Sequence, residues 1–313
     1  MPVSDFALIT LAQFKNQLAL TDVNTQRDTW LISMINAVSQ EAETAIGRGI
    51  VAREYQQYLN GSGLSTLWVP QYPVLSIVTL WDDVDTEFAR DTDIIKESAR
   101  VIDKEANGLI RVKDQVGTFQ KGHDNIKIFY YAGYAELDIS WGSTQLTFSE
   151  VSGGTRYTVT IPPGRHDVVT LGSLVSQEMN RVGLNTYHVR FAHNLRTYSI
   201  TLATGPTGTL QLHTNTGTNT LFPRLGYGTS GSDLTGATSY TPSTIIRPRV
   251  PFDLEQMAID VVVFHYDRSG FGAVQRGVKS EMIGDYSISY AGVGELPPFT
   301  KTTIDRYRTW NII

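Results

Sequence analysis

The chain has no cysteine in its 313 residues. Disulfides, thiolate metal sites and cysteine nucleophiles are therefore excluded, and a reducing compartment would suit it. It has no apolar run near the roughly 20 residues that a spanning helix needs. The opening, MPVSDFALIT, lacks a basic stretch followed by an apolar core, so no secretory signal is expected. Charge is sparse, at 18% of residues, and the balance is −5 with a pI near 5.7. A protein that grips DNA tightly is usually basic, so this balance argues against such a grip and allows DNA to pass nearby. With 41% hydrophobic residues the chain still has material for packed cores, and its length allows two domains.

Catalytic signatures are equally scarce. There is no GxSxG elbow and no HExxH. The six histidines, at 123, 166, 188, 193, 213 and 265, show no zinc-ligand spacing. GAVQRGVKS, residues 272–280, nearly spells a phosphate-binding loop, but Val278 separates the second glycine from Lys279 and puts the lysine out of register. The acidic loop at 82–93 places Asp83, Asp85 and Glu87 at alternate positions, as calcium loops do. Phe88 stands where such a loop needs glycine, and Ile94 where it needs glutamate. A solvated tip, or a surface meeting a basic neighbour, is the plainer reading. No enzyme, cofactor or metal is expected.

The pattern that is present is partly helical. Thr10 and Gln13 fit a capping box, followed by an apolar stripe of Leu11, Phe14 and Leu18. Trp30, Leu31, Met34, Ile35, Val38, Ala42, Ala45 and Ile46 keep helical spacing, with Gly47 as a stop. Residues 55–59 and 64–69, around Gly61-Ser62-Gly63, read as a β-hairpin, as do 100–102 and 109–112 around Asn107-Gly108. Strands are also expected at 74–81 and 125–134. From 142 to 244 charge thins and Thr, Gly and Ser dominate. Strands at 146–148, 157–161, 187–191, 198–202 and 210–212 surround one helix, capped by Thr170 and closed by Gly183. Tyr187, Tyr198, Phe222, Tyr227 and Tyr240 could stack on a sugar ring, although sheet-core and surface tyrosines are the plainer reading. Helical spacing returns with Leu254, Met257, Ala258, Val261, Val262 and His265, and again after Pro297-Pro298.

Several of these stretches, in this order, resemble head–tail connector (adaptor) proteins of tailed bacteriophages. They are LITLAQFKNQLAL, DTWLISMINAVSQEAETAIGR, REYQQYLNGSGLSTLWVPQYPV, VIDKEANGLIRV, NIKIFYYAGY, VPFDLEQMAIDVVVFHYDRSG, GVKSEMIGDYSISY and LPPFTKTTIDRYR. The resemblance implies a ring, generally twelve-fold, beneath a portal protein and above a tail or stopper protein, in the neck of the virion. DNA would pass through without sequence-specific binding, and no membrane is involved. The C-terminal segment would reach toward the portal, making Arg306, Arg308, Trp310, Ile312 and Ile313 portal-contact candidates. Asp82, Asp83 and Asp85 are candidates for the channel or a basic ring.

Residues 142–244 stand where short connectors have only a loop, and within them TVTIPPGRHDVVTLGSLVSQEMN followed by LGYGTSG is similar to a small module that recurs in virion proteins of phages and large viruses. The expected fold is α+β: a four-helix connector core with β-hairpins, formed by residues 1–141 and 245–313. An inserted β-rich domain with one helix, residues 142–244, would interrupt it, with crossings at 135–142 and 242–248. The alternative role is a virion module that binds a host-surface glycan or another virion protein through the insertion.

Overall fold

A computed structural model describes the chain except residues 1, 105–106, 114–116, 152–153, 205–208, 215–220, 229–232, 243, 268, 270–279, 284–285, 290–297 and 309–313. It divides into two compact units, Met1–Gly133 with Val250–Ile313, and Tyr134–Arg249.

The first unit opens with helix α1 (Leu11–Gln17), whose capping box is formed as its sequence predicts: Thr10 Oγ1 accepts from Gln13 N, and Gln13 Oε1 from Thr10 N. Helix α2 (Thr25–Ile46) starts at the Asn24 cap and stops at Gly47, which adopts the left-handed φ of 86° that favours glycine. Its buried stripe is Leu31, Ile35, Val38, Ala42 and Ile46. Each of the larger side chains there contributes roughly 1.5–3 kcal/mol by leaving water. Trp30 and Met34 are only half-buried.

Six strands follow: β1 (Arg53–Gly61), β2 (Thr66–Trp68), β3 (Val74–Asp82), β4 (Arg100–Lys104), β5 (Leu109–Val112) and β6 (Gly122–Ala132). They form two antiparallel three-stranded sheets, ordered β1-β6-β3 and β2-β5-β4. The expected hairpin of 55–59 with 64–69 is therefore corrected. β1 pairs with β6, Tyr55 opposite Tyr130, and β2 pairs with β5, so Gly61-Ser62-Gly63 leads from one sheet to the other. The β4–β5 pair around Gly108 is present, with Ile102 opposite Ile110.

The second unit contains β7 (Glu136–Ile139), β8 (Gln145–Ser149), β9 (Arg156–Thr160), β10 (Gly164–Asp167), α3 (Val168–Val182), β11 (Thr186–Ala192), β12 (Thr197–Thr204), β13 (Leu210–Leu212), β14 (Leu234–Ala237) and β15 (Ser239–Tyr240). Its sheets are ordered β10-β7, β11-β12-β15 and β14-β13-β8-β9. Helix α3 is capped by Asp167, not Thr170. One carboxylate oxygen accepts from Val169 N at 2.8 Å and Thr170 N at 3.2 Å, which starts the helix three residues earlier (cap 170 − 167). Residues 135–142, expected as a crossing, carry β7: Leu137 and Ile139 are buried and β7 pairs with β10.

The chain returns to the first unit with α4 (Phe252–Asp267), β16 (Ser280–Ile283), β17 (Tyr286–Ser289) and α5 (Pro298–Tyr307). β16 and β17 pair antiparallel, Ser280 opposite Ser289.

The expected four-helix connector core is not what the fold contains. Among the described residues helix and antiparallel strand take comparable shares. Helix α2 does pack against α1, α4 and α5. A large buried apolar cluster of this unit, however, is built from strands and their connections: Leu67, Val74, Leu80, Ile110, Ile128 and Tyr130 are members, and no helix contributes. The physical reason is that helix α1 has only seven residues and α5 has Thr300 and Thr303 on its buried side, so these helices bring little apolar area.

Candidate functional site

The acidic loop after β3 is a built structure. Asp83 is buried, and its carboxylate accepts from Asp85 N at 2.9 Å and Phe88 N at 2.7 Å. Those donors, Phe88 N–H foremost, hold its carboxyl below the ordinary carboxylate range. Phe88 adopts φ 52°, so the position where a calcium loop would place glycine does turn left-handed, while the Asp83 carboxylate faces the loop's own N–H groups. Asp82 accepts from Gln120 N at 2.8 Å and Asn125 Nδ2 at 3.2 Å, and burial raises its pKa. Asp85 differs. Its side chain is 67% exposed, and Arg90 stands 3.9 Å away. Of the three aspartates proposed from sequence, Asp85 is the exposed one, Asp82 is half-buried and Asp83 is buried.

The same loop closes an aromatic cluster on one face of the β1-β6-β3 sheet. Tyr58 and Trp81 lie opposite Lys127 on either side. Lys127 Nζ lies 5.7 Å from the Tyr58 ring centre, 5.3 Å from Trp81 and 5.5 Å from both Phe88 and Phe129. Four rings thus share one ammonium group, a favourable cation–π arrangement.

The edges of this sheet are treated unequally. The β3 edge is covered: Trp81 bridges Ile94, Ile95 N donates to Leu80 O, and the Arg100 guanidinium donates to Ile77 O and Val78 O. The β1 edge, nine residues long, pairs with no other strand among the described residues. A long uncovered edge is a template for pairing with another chain.

The C-terminal candidates are partly engaged at home. Arg306 lies 2.9 Å from Asp253, to which Tyr307 Oη also donates, and Arg308 Nε donates to Ala45 O. The side chains of both arginines keep about half their surface in solvent or more, at 60% and 49%. Trp310, Ile312 and Ile313 lie outside the described residues, as do 272–279 of the near phosphate loop.

In the second unit the aromatics singled out for sugar stacking are core residues. Tyr187, Tyr198, Phe222 and Tyr227 are buried, and Tyr240 is half-buried. Their hydroxyls are engaged: Tyr187 with Glu150, Tyr198 with Val168 O, Tyr227 with Tyr240 O and Tyr240 with Leu210 O. The exposed aromatic is Trp141, at 82%, which carried no periodic signal in the sequence.

The structure also assembles a set that the sequence scattered over 85 positions. His213 Nδ1 is 2.6 Å from Asp233 Oδ2, and His213 Nε2 is 3.1 Å from Ser149 Oγ. The order matches a serine-nucleophile relay. Ser149 is completely buried between β9 and β13, so no substrate reaches it; the set is a polar bridge from β8 to the start of β14. Glu150 beside it is buried too, and its Oε1 accepts from Leu184 N, Asn185 N and Tyr187 Oη. Among the described residues no three His, Asp or Glu side chains gather as metal ligands, and no helix is long and apolar enough to cross a membrane.

No protein-family model and no curated protein matches the chain. Among solved structures, a chain described as "Neck of empty GTA particle computed with C6 symmetry" matches with 19% identity and a TM-score of 0.31, over 43% of this chain and 69% of that one. A chain described as "Virion of native gene transfer agent (GTA) particle" matches with 18% identity and a TM-score of 0.30, over the same shares. Likeness at this level does not establish a common fold.

Proposed function

We propose that this chain is a structural head–tail adaptor of a tailed-phage-like particle. Copies form a ring below the portal, extend the DNA channel and join the head to a tail or stopper protein in the neck of the virion. The observation that carries the reading is the ordered set of connector-like stretches, which falls almost wholly in the first unit. The edge of the nine-residue strand β1, which no further strand pairs among the described residues, supports it, because a ring subunit needs faces that meet its neighbours through two different surfaces. The net charge of −5 suits a channel past which DNA slides, since each cationic phosphate contact would add a salt-dependent grip.

In this account Asp85 faces the channel or a basic neighbouring ring, while Asp82 and Asp83 shape the loop that presents it. Arg306 and Arg308, with the segment ending at Ile313, meet the portal. The second unit is a peripheral addition. The test is co-expression with the portal protein of the same particle, followed by imaging of the purified complex. Rings seated coaxially on the portal are expected. A portal that purifies without this chain would reject the proposal.

A further inference from the structure

The second unit has a polar groove between α3 and the edge strand β11, with a volume of about 470 Å³. The strand edge within it is already satisfied. Ser176 Oγ accepts from Val189 N at 2.7 Å, and Asn180 accepts from Tyr187 N and donates to Tyr187 O. An added peptide strand would therefore find those backbone groups taken. The groove is also no apolar pocket, because Val189 is its one apolar lining residue.

What remains is a convergence of side-chain hydrogen-bonding groups. Gln177 from α3 and His188 and Arg190 from β11 line the groove and are exposed. The side chains of all three make no hydrogen bond or ion pair to another described residue. Gln177 sits one helical turn from Ser173, which also lines the groove, while His188 and Arg190 alternate with the buried Tyr187 and Val189, so both point to the outer side of the strand. Arg190 is the only lining residue with a permanent charge, and guanidinium favours a carboxylate held by two parallel hydrogen bonds. One cation in a chain of net −5 is too little for a nucleic-acid backbone. The volume falls within the range of about 300–1,000 Å³ common for small-ligand sites.

We infer that this groove binds a carboxylated sugar unit of an acidic glycan, with Arg190 on the carboxylate and Gln177, His188 and Ser173 on hydroxyl or amide groups. The inference is independent of the adaptor reading, since it concerns the second unit alone. It moves any sugar contact from the buried tyrosines to a polar surface that the sequence does not announce.

The test is amide and side-chain NMR on the full chain, titrated separately with sialyllactose, a glucuronate-containing disaccharide and neutral lactose. Saturable shifts confined to the 173–190 region are expected for a carboxylated probe, with a Kd of about 1 mM. Which of the two acidic probes binds tells a sialylated from a uronate-bearing source. R190Q should weaken that binding about tenfold or more while its thermal unfolding stays at the wild-type value, and Gln177→Ala should weaken it less. The inference is overturned if neither acidic probe gives saturable shifts, if lactose binds as well as they do, or if R190Q binds as the wild type does.

Discussion

The side-chain amide of Asn180 takes the place of a neighbouring strand for Tyr187: Asn180 Oδ1 accepts from Tyr187 N at 2.6 Å, and Asn180 Nδ2 donates to Tyr187 O at 3.2 Å. Ser176 does the same for Val189 one helical turn earlier. Helix α3 thereby seals an edge that would otherwise invite pairing.

Removing that seal has a defined cost. Asn180→Ala leaves both backbone groups of Tyr187 without a partner beside a buried ring, and should lower unfolding free energy by about 1–3 kcal/mol. Urea unfolding of the variant, followed by circular dichroism, measures this. A loss below about 0.3 kcal/mol would show that water replaces the amide at no cost.

The ring cluster around Lys127 makes a second prediction. Lys127→Met keeps the aliphatic stem against Tyr58, Trp81, Phe88 and Phe129 and loses only the cation, so it should cost about 0.5–2 kcal/mol. Lys127→Ala should cost more, because the packing of the stem goes too. Equal stability of Lys127→Met and wild type would mean that the rings serve as packing alone.

Acid sensitivity should come from His193 before Asp83. Burial lowers the pKa of His193 from 6.5 to about 4. The unfolded chain takes up a proton below 6.5 and the folded chain does not until about 4, so this contribution to stability is complete above pH 6.5 and is lost as pH falls toward 4. The depressed Asp83 works lower. Its contribution is present above 3.8 and is lost as pH falls through its own lowered pKa. His193→Gln should therefore flatten the stability profile between pH 6.5 and 4. An NMR titration of His193 with a midpoint near 6.5 would contradict this.

The polar bridge of Ser149, His213 and Asp233 should be chemically silent. An alkyl fluorophosphonate should leave Ser149 unlabelled in the folded protein, because the hydroxyl is wholly buried. Labelling read by mass spectrometry would reveal a path to it.

The two units make a prediction about excision. Glu136 and Arg249 exchange backbone hydrogen bonds at the neck of the second unit, N to O at 2.8 and 2.7 Å. Replacing 134–249 by a short Gly/Ser linker should leave a folded first unit. Replacing only 142–244 strands β7 without β10 and should give a less soluble chain. Equal behaviour of both would mean that β7 needs no partner.

Local signals in this chain were legible and non-local ones were not. The Thr10 box, the α2 stripe, Gly47 and the α5 start each depend on residues within one or two turns, and the sequence displays them. Tyr55 and Tyr130 lie 75 positions apart (130 − 55), so their pairing could not be inferred from Gly61-Ser62-Gly63, which looks like a hairpin turn. The same limit hid the site. Asp82, Asp83 and Asp85 look equivalent in sequence, and only the positions of Gln120, Asn125 and Phe88 make Asp83 buried and Asp82 half-buried. The four-helix expectation failed because helical spacing is easy to see, whereas the strand-built cluster around Ile110 and Ile128 is assembled from short segments that carry little periodicity each.

The central claim is that this chain sits as a ring between portal and tail. Cryo-electron microscopy of the head–tail junction of the particle that carries it tests this most directly. The account predicts a closed ring of this chain directly beneath the portal, with α5 and the C-terminal segment on the portal side and Asp85 facing the channel or the adjoining ring. Density for this chain at the tail tip, on the capsid surface, or as isolated copies with no ring would contradict it.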